Sequence, residues 1–240
     1  MHILHIISKE AKLGMEFAMN TVVNNVPIEK SAVYSLPSAI GRVSGPAAFF
    51  AEAKTEAVRK AIHFLIALSP GMAAINYPLT VLALMAGVLG YTFMETLRLS
   101  GVKIPVVSTL TAMASRPRDM GVFVLGPVTL GLGALLTLLL FPSPAACIGI
   151  YALAFGDGFA GLIGKMFGRI RPAFLFGKSL EGSAACFAAT FISAYLVSHS
   201  HAVSVAAAIT AMAVEALPLD DYDNISLPLI VGVVVQQIKF

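Results

Sequence analysis

Charge is what this chain has least of. Asp, Glu, Lys and Arg make up 12% of its 240 residues, against about 25% in ordinary soluble domains. So little charge cannot cover a soluble globule of this size, so much of the surface must meet lipid. Tryptophan is absent, which leaves any interfacial aromatic belt to six Tyr and to Phe. Only two cysteines occur, Cys147 and Cys186. They have no metal-ligand spacing, and the topology below sets them near opposite membrane faces, which argues against a disulfide. A strong excess of one sign is missing too: 16 basic and 13 acidic residues leave a net +3, too slight to indicate a nucleic-acid partner. No secretory leader is expected at "MHILHIISKEAKLGMEF", where a short apolar start gives way to mixed charge without a small-residue cleavage site.

What the chain has instead is apolar length. Hydrophobic residues reach 58% and the mean hydropathy is +0.85. A membrane helix needs roughly 20 apolar residues. Candidate spans are Ala61–Ile75, Pro78–Leu97, Val122–Phe141, Pro144–Ile163, Ser183–Val197, Ala202–Leu217 and Ile225–Ile238. The second, third and fourth are full length, and the others are short. Basic residues give an independent test. With the N-terminus inside and the C-terminus outside, 15 of the 16 fall on the cytoplasmic side, as the positive-inside rule expects. The expected fold is therefore an all-α, polytopic, multi-pass membrane helix bundle of about seven transmembrane helices, N-in/C-out. Residues 1–50 read as a separate cytoplasmic or interfacial segment without nameable chemistry, and 51–240 as the membrane-embedded domain. "AAFFAEAKTEAVRK" is expected to be helical, with a Glu56–Lys60 pair at i,i+4.

In that topology the acids gather at the inner face: Glu95, Asp157, Glu215, and Asp220, Asp221 and Asp223 just beyond. Asp157 ends an apolar run in "GDGFAGLIGKMFG". A carboxylate at that depth persists only if paired, hydrated or bound to a cation. Its plainer reading is an interfacial residue paired with a neighbour such as Lys165. Gly156, Ala160, Gly164 and Gly168 recur every four residues, which suits helix packing and ligand access alike. "GKSLEGS" (177–183) offers Lys178, Ser179, Gly182 and Ser183 at a helix start, a setting that suits phosphate. It lacks Walker A spacing, and Ser179 with Glu181 could simply cap the helix. Arg59, Lys60 and His63 in "EAVRKAIH" read alone as headgroup anchors. Glu215 and Asp223–Asn224 supply oxygen donors, and carboxylates together with phosphate oxygens are how Mg²⁺ is usually held. Together these groups suit a Mg²⁺-bound nucleotide meeting a lipid headgroup.

These blocks resemble the membrane CTP-dependent lipid kinases, namely dolichol kinase, phytol kinase and yeast-type diacylglycerol kinase with their prokaryotic relatives. The resemblance runs from about residue 52 onward through "EAVRKAIH", "ETLR" (Glu95, Arg98), "RPRDMG" (Arg116, Asp119), "GDGFAGLIGKMFG", "GKSLEGS" and "VEALPLDDYDNISLP". It implies transfer of the γ-phosphate of CTP to the hydroxyl of a membrane lipid alcohol: a polyprenol or dolichol, a phytol-type isoprenoid, or diacylglycerol. It also implies an active site facing the cytoplasm. Arg59, Lys60, Asp157 and Gly164 stand where such families place essential residues, and Lys178–Ser183 where they place CTP. Asp157, with Glu215 or Asp223, would hold the metal. Residues 1–50 match nothing in the family. A phosphatidate cytidylyltransferase-like enzyme is one alternative, although its C-terminal His-Gly-Gly…Asp-Arg element is missing. A non-catalytic anion-binding membrane protein is the other. The sequence does not speak to oligomeric state.

Overall fold

The computed structural model describes residues 46–102 and 121–238, with side chains from Glu56 onward. The "RPRDMG" block and the N-terminal segment lie outside the described residues. Every described element is helical, and the described residues belong to one compact unit. In chain order the helices are α1 (Pro46–Ile66), α2 (Leu68–Ile75), α3 (Tyr77–Leu99), α4 (Gly126–Leu140), α5 (Ala145–Tyr151), α6 (Gly158–Met166), α7 (Leu180–Ser198), α8 (His201–Glu215) and α9 (Asp223–Gln237). Among the described residues four stretches are long and apolar enough to cross a membrane: Glu56–Ile75, Tyr77–Leu99, Ala145–Met166 and Leu180–Ser198. Gly126–Leu140 and His201–Glu215 are shorter apolar helices. Each expected span falls mainly on helical residues, the first on α1 and α2 and the fourth on α5 and α6, so a seven-helix bundle fits.

The helix ends follow local chemistry. Asn76 accepts a hydrogen bond from Leu79 N (3.0 Å), and Pro78 stands in the first turn of α3, where its missing N–H costs nothing. Val122–Leu125 are not helical, because α4 begins only at Gly126–Pro127. Ser179 and Ser200 cap α7 and α8.

The span Ala145–Met166 runs through the centre. Ile148 and Leu153 are completely buried there, against Leu227, Val231 and Val235 of α9 and Val203 of α8, while the equally buried Ile150 packs with Ala134 and Leu138 of α4. A Cβ on Gly149 would lie 2.6 Å from Pro228 O, so glycine is what lets α5 and α9 touch backbone to backbone. By contrast α3 buries only Thr80 and Glu95, and presents Leu79, Leu82, Leu89 and Phe93 outward. Such apolar exposure has no place in water and suits lipid. The central span is not a uniform α-helix. Ala152–Asp157 forms a π turn joining α5 to α6, an irregularity that collects at functional sites. Asp157 closes it.

Candidate functional site

The end of α8, the starts of α4, α7 and α9, and the inner faces of α1 and α6 enclose a cavity of about 740 Å³. Arg59, Lys60, His63, Asp157, Gly164, Lys178, Ser179, Gly182, Glu215, Asp223 and Asn224 line it, with Ile62, Leu65, Pro127 and Leu130 as its apolar wall.

Asp157 is buried, and its Oδ2 meets Lys60 Nζ at 2.6 Å and His63 Nε2 at 3.0 Å. The partner is thus α1, not Lys165, which stands 3.8 Å from Glu56. Glu56 also takes Arg59 at 3.0 Å, so the expected Glu56–Lys60 pair is replaced: Lys60 turns across to Asp157. Asn224 Nδ2 donates to Thr129 Oγ1 (2.9 Å) and Gly126 O (3.4 Å), which leaves its Oδ1 to face His63 Nε2 at 3.0 Å. With acceptors on both sides, Nε2 carries a hydrogen. His63 therefore ties α1 to the π turn and to α9.

Two glycines let α1 approach this closely. A Cβ on Gly161 would lie 2.4 Å from Lys60 Cε, and one on Gly158 would lie 2.6 Å from the Phe64 ring. From the sequence Gly158, like Gly156, flanks Asp157 and suits ligand approach to the backbone, while Gly161 has no stated role; their i,i+3 spacing on α6 was the available signal for packing. The every-fourth stripe instead faces α7. Gly156 abuts Thr190, Gly164 and Gly182 meet, and Gly168 abuts Ser179. Gly156 and Gly168 are packing positions away from the cavity, whereas Gly164 serves both.

The "GKSLEGS" block divides in the same way. Gly177 has φ +88°, a conformation that favours glycine, and the turn there aims Lys178 at Glu215. Lys178 Nζ donates to Glu215 Oε1 at 2.8 Å and to the Glu215 carbonyl. Burial pulls the Lys178 ammonium down, but the Glu215, Asp223 and Asp157 carboxylates outweigh it and hold it above its usual value. Ser179 Oγ caps α7 through Gly182 N (3.1 Å). Glu181 lies outside the cavity and accepts from Arg169 N (2.9 Å) and Ile170 N (3.2 Å), fastening the preceding loop. Ser183 is buried, away from the cavity lining, with no hydrogen-bond partner for its hydroxyl.

Glu95 also departs from the inner-face acids grouped with it. It is fully buried and bound twice by Arg98, at 2.8 and 2.7 Å, and it accepts from Val124 N at 3.0 Å. This staple fixes the approach to α4.

The three acids proposed from sequence for a metal all line the cavity, yet among the described residues no three His, Cys, Asp or Glu side chains converge as a ready ligand cluster. Two observations nevertheless suit a cation. Glu215 Oε2 is buried without a partner. Asp223, at the first residue of α9 and outside the candidate spans, has its carboxyl pushed up to about 7, by burial first and then by the charge of Asp157. Mg²⁺ characteristically binds through one or two carboxylates plus substrate phosphates, without a complete protein cage. The residues present fit a metal that arrives with its nucleotide.

Fold and cavity together define a polytopic helical membrane protein with a mixed-charge chamber at one end of the bundle. Among known proteins, a probable chloroplastic phytol kinase of Triticum aestivum is 34% identical over 43% of this chain and 41% of its own length. The chain thus matches well under two thirds of that relative. No protein-family profile and no solved structure matches.

Proposed function

We propose that this chain is a membrane lipid kinase that transfers the γ-phosphate of CTP to the hydroxyl of a lipid alcohol. The observation that carries the reading is one chamber in which cationic side chains, among them Arg59, Lys60 and Lys178, face carboxylates, among them Asp157, Glu215 and Asp223, beside an apolar wall. Likeness to a protein named a phytol kinase supports it.

Phosphoryl transfer depends on positioning and charge neutralisation more than on covalent work by the protein. Lys60 and Lys178 are held in place by Asp157 and Glu215, so they meet an incoming triphosphate already oriented. Arg59, whose side chain is 21% exposed, lines the chamber and suits contact with phosphate. Mg²⁺, when bound with the nucleotide, would neutralise phosphate charge, and Asp157, Asp223 and Glu215 would hold it. Gly164, Gly177 and Gly182 leave cavity backbone uncovered where a nucleotide can approach. The acceptor's hydroxyl comes to this charged end while its tail remains among apolar side chains. The geometry suits an active site on the cytoplasmic side, where the basic loops are expected.

The test is purified protein in lipid with γ-labelled CTP, or ATP in parallel, and a panel of phytol, polyprenol and diacylglycerol. Labelled lipid is expected with wild type. Asp157→Asn should reduce labelling by at least about a thousandfold while the protein still inserts. Release of labelled pyrophosphate with CDP-lipid formed would instead establish a cytidylyltransferase, and intact CTP a non-catalytic binder.

A further inference from the structure

The chamber does not end at its apolar wall. Ile62, Leu65, Pro127 and Leu130 also line a second cavity of about 260 Å³, so the two share a boundary of side chains. The second cavity is apolar and is completed by Ala83 and Gly87 of α3 and by Gly131 of α4. It arises from how α3 is attached. Tyr77 Oη donates to Leu138 O (2.9 Å) at one end of α3, and the Glu95–Arg98–Val124 staple closes the other. Between these ties stand small residues. A Cβ on Gly87 would meet nothing within 4 Å. The groove is therefore bounded at both ends and open along its middle.

We propose that this groove receives the hydrocarbon tail of the acceptor next to its hydroxyl, and that the acceptor is a single-chain primary alcohol rather than a two-chain glyceride. The inference rests on the lipid kinase reading and adds the tail's location and number. Continuity places the groove one side chain away from the charged chamber, so a hydroxyl in the chamber and a chain in the groove belong to one molecule. Volume restricts the chain count. Pockets that enclose a drug-sized ligand run to roughly 300–1,000 Å³, and this groove lies below that range. Its wall on α3, from Ala83 to Val88, extends only about 8 Å along the helix axis. One chain passes; two abreast do not. The remainder of a long tail continues into lipid.

Two measurements test this. In the first, a single-chain primary alcohol carrying a diazirine near its hydroxyl is photolysed with wild-type protein in lipid, and the adduct is mapped by mass spectrometry. Adducts are expected on 83–88 and 130–131, competed by phytol and not by diacylglycerol. Adducts elsewhere, or competition by diacylglycerol, overturn the proposal. This readout needs no turnover. In the second, Gly87→Phe fills the groove from an open position, with Gly87→Ala as the folding control. Turnover of phytol by the Phe variant should fall at least about tenfold more than turnover of a five-carbon alcohol, through the KM of the alcohol rather than of the nucleotide. An equal fall on both alcohols, or none, overturns it. If wild type phosphorylates no alcohol, the kinase reading fails by itself. If it does phosphorylate alcohols while the adducts lie elsewhere, only the groove assignment fails.

Discussion

Asp157 illustrates what a residue can reveal before its surroundings are known. Its type, depth and flanking glycines singled it out, because an intramembrane carboxylate needs a partner. Which partner it has depended on Gly161, whose missing side chain admits Lys60. Gly161→Ala should push the Lys60 tip away and lower phosphoryl transfer about tenfold to a hundredfold, with the protein still monodisperse in detergent. Normal kinetics in that variant would show that Lys60 need not hold its present position. Arg98 makes a stability case. Arg98→Ala strands a fully buried Glu95 and is expected to cost about 3 kcal/mol in reversible denaturation, more than most surface changes. Asp223 supplies a pH dependence. Its carboxyl is raised from 3.8 to about 7 in the folded chain, so the fold binds a proton that the unfolded chain has released. Without divalent metal, that contribution to stability is lost as pH rises from about 4 to about 7. Asp223→Asn should therefore raise Tm relative to wild type more at pH 7.5 than at pH 5; an offset independent of pH would contradict this.

Among the elements, hydrophobic length made the helices legible and glycine spacing made α6 against α7 legible. The π turn was not. Nothing in "ALAFGD" distinguishes a wide turn from an ordinary one, and what surrounds it is tertiary: Thr190 and Cys186 fill the space that a Cβ on Gly156 would need, and Lys60 and His63 bind Asp157 from α1. The division of "GKSLEGS" was half legible. The cap at Ser179 was one of its two sequence readings, and Ser179 caps α7 while also lining the chamber; that Glu181 fastens the preceding loop was not foreseen. A serine hydroxyl can accept from a backbone amide or donate to a phosphate, so its residue type alone does not separate the two uses.

For the whole molecule, charge distribution carries the orientation and predicts a labelling pattern. Phe174 is well exposed in the loop before α7. Phe174→Cys should react with an impermeant maleimide only after the membrane is opened, whereas Ser143→Cys in the short α4–α5 connection should react in intact cells. Cys147 and Cys186 are both free, so the background needs only their replacement. The reverse pattern would place the chamber on the wrong side for a cytoplasmic nucleotide pool. Composition declared the membrane setting at once. The groove beside α3 lay beyond its reach, since an unfilled space depends on which small residues three separate helices turn toward one another.

The wide turn at Ala152–Asp157 has a consequence for how this protein tolerates change. Six residues at π winding turn the chain about as far as five at ordinary α winding, so the extra residue is absorbed locally and the helix beyond keeps its facing. A one-residue deletion just past the turn, at Phe159, has nothing to absorb it and would rotate everything downstream by about 100°. Gly161 would swing off Lys60 and Gly164 off Gly182, although the span would lose little in hydrophobicity. Loss of a residue within Ala152–Leu153 should therefore disturb those contacts far less than loss of one in α6.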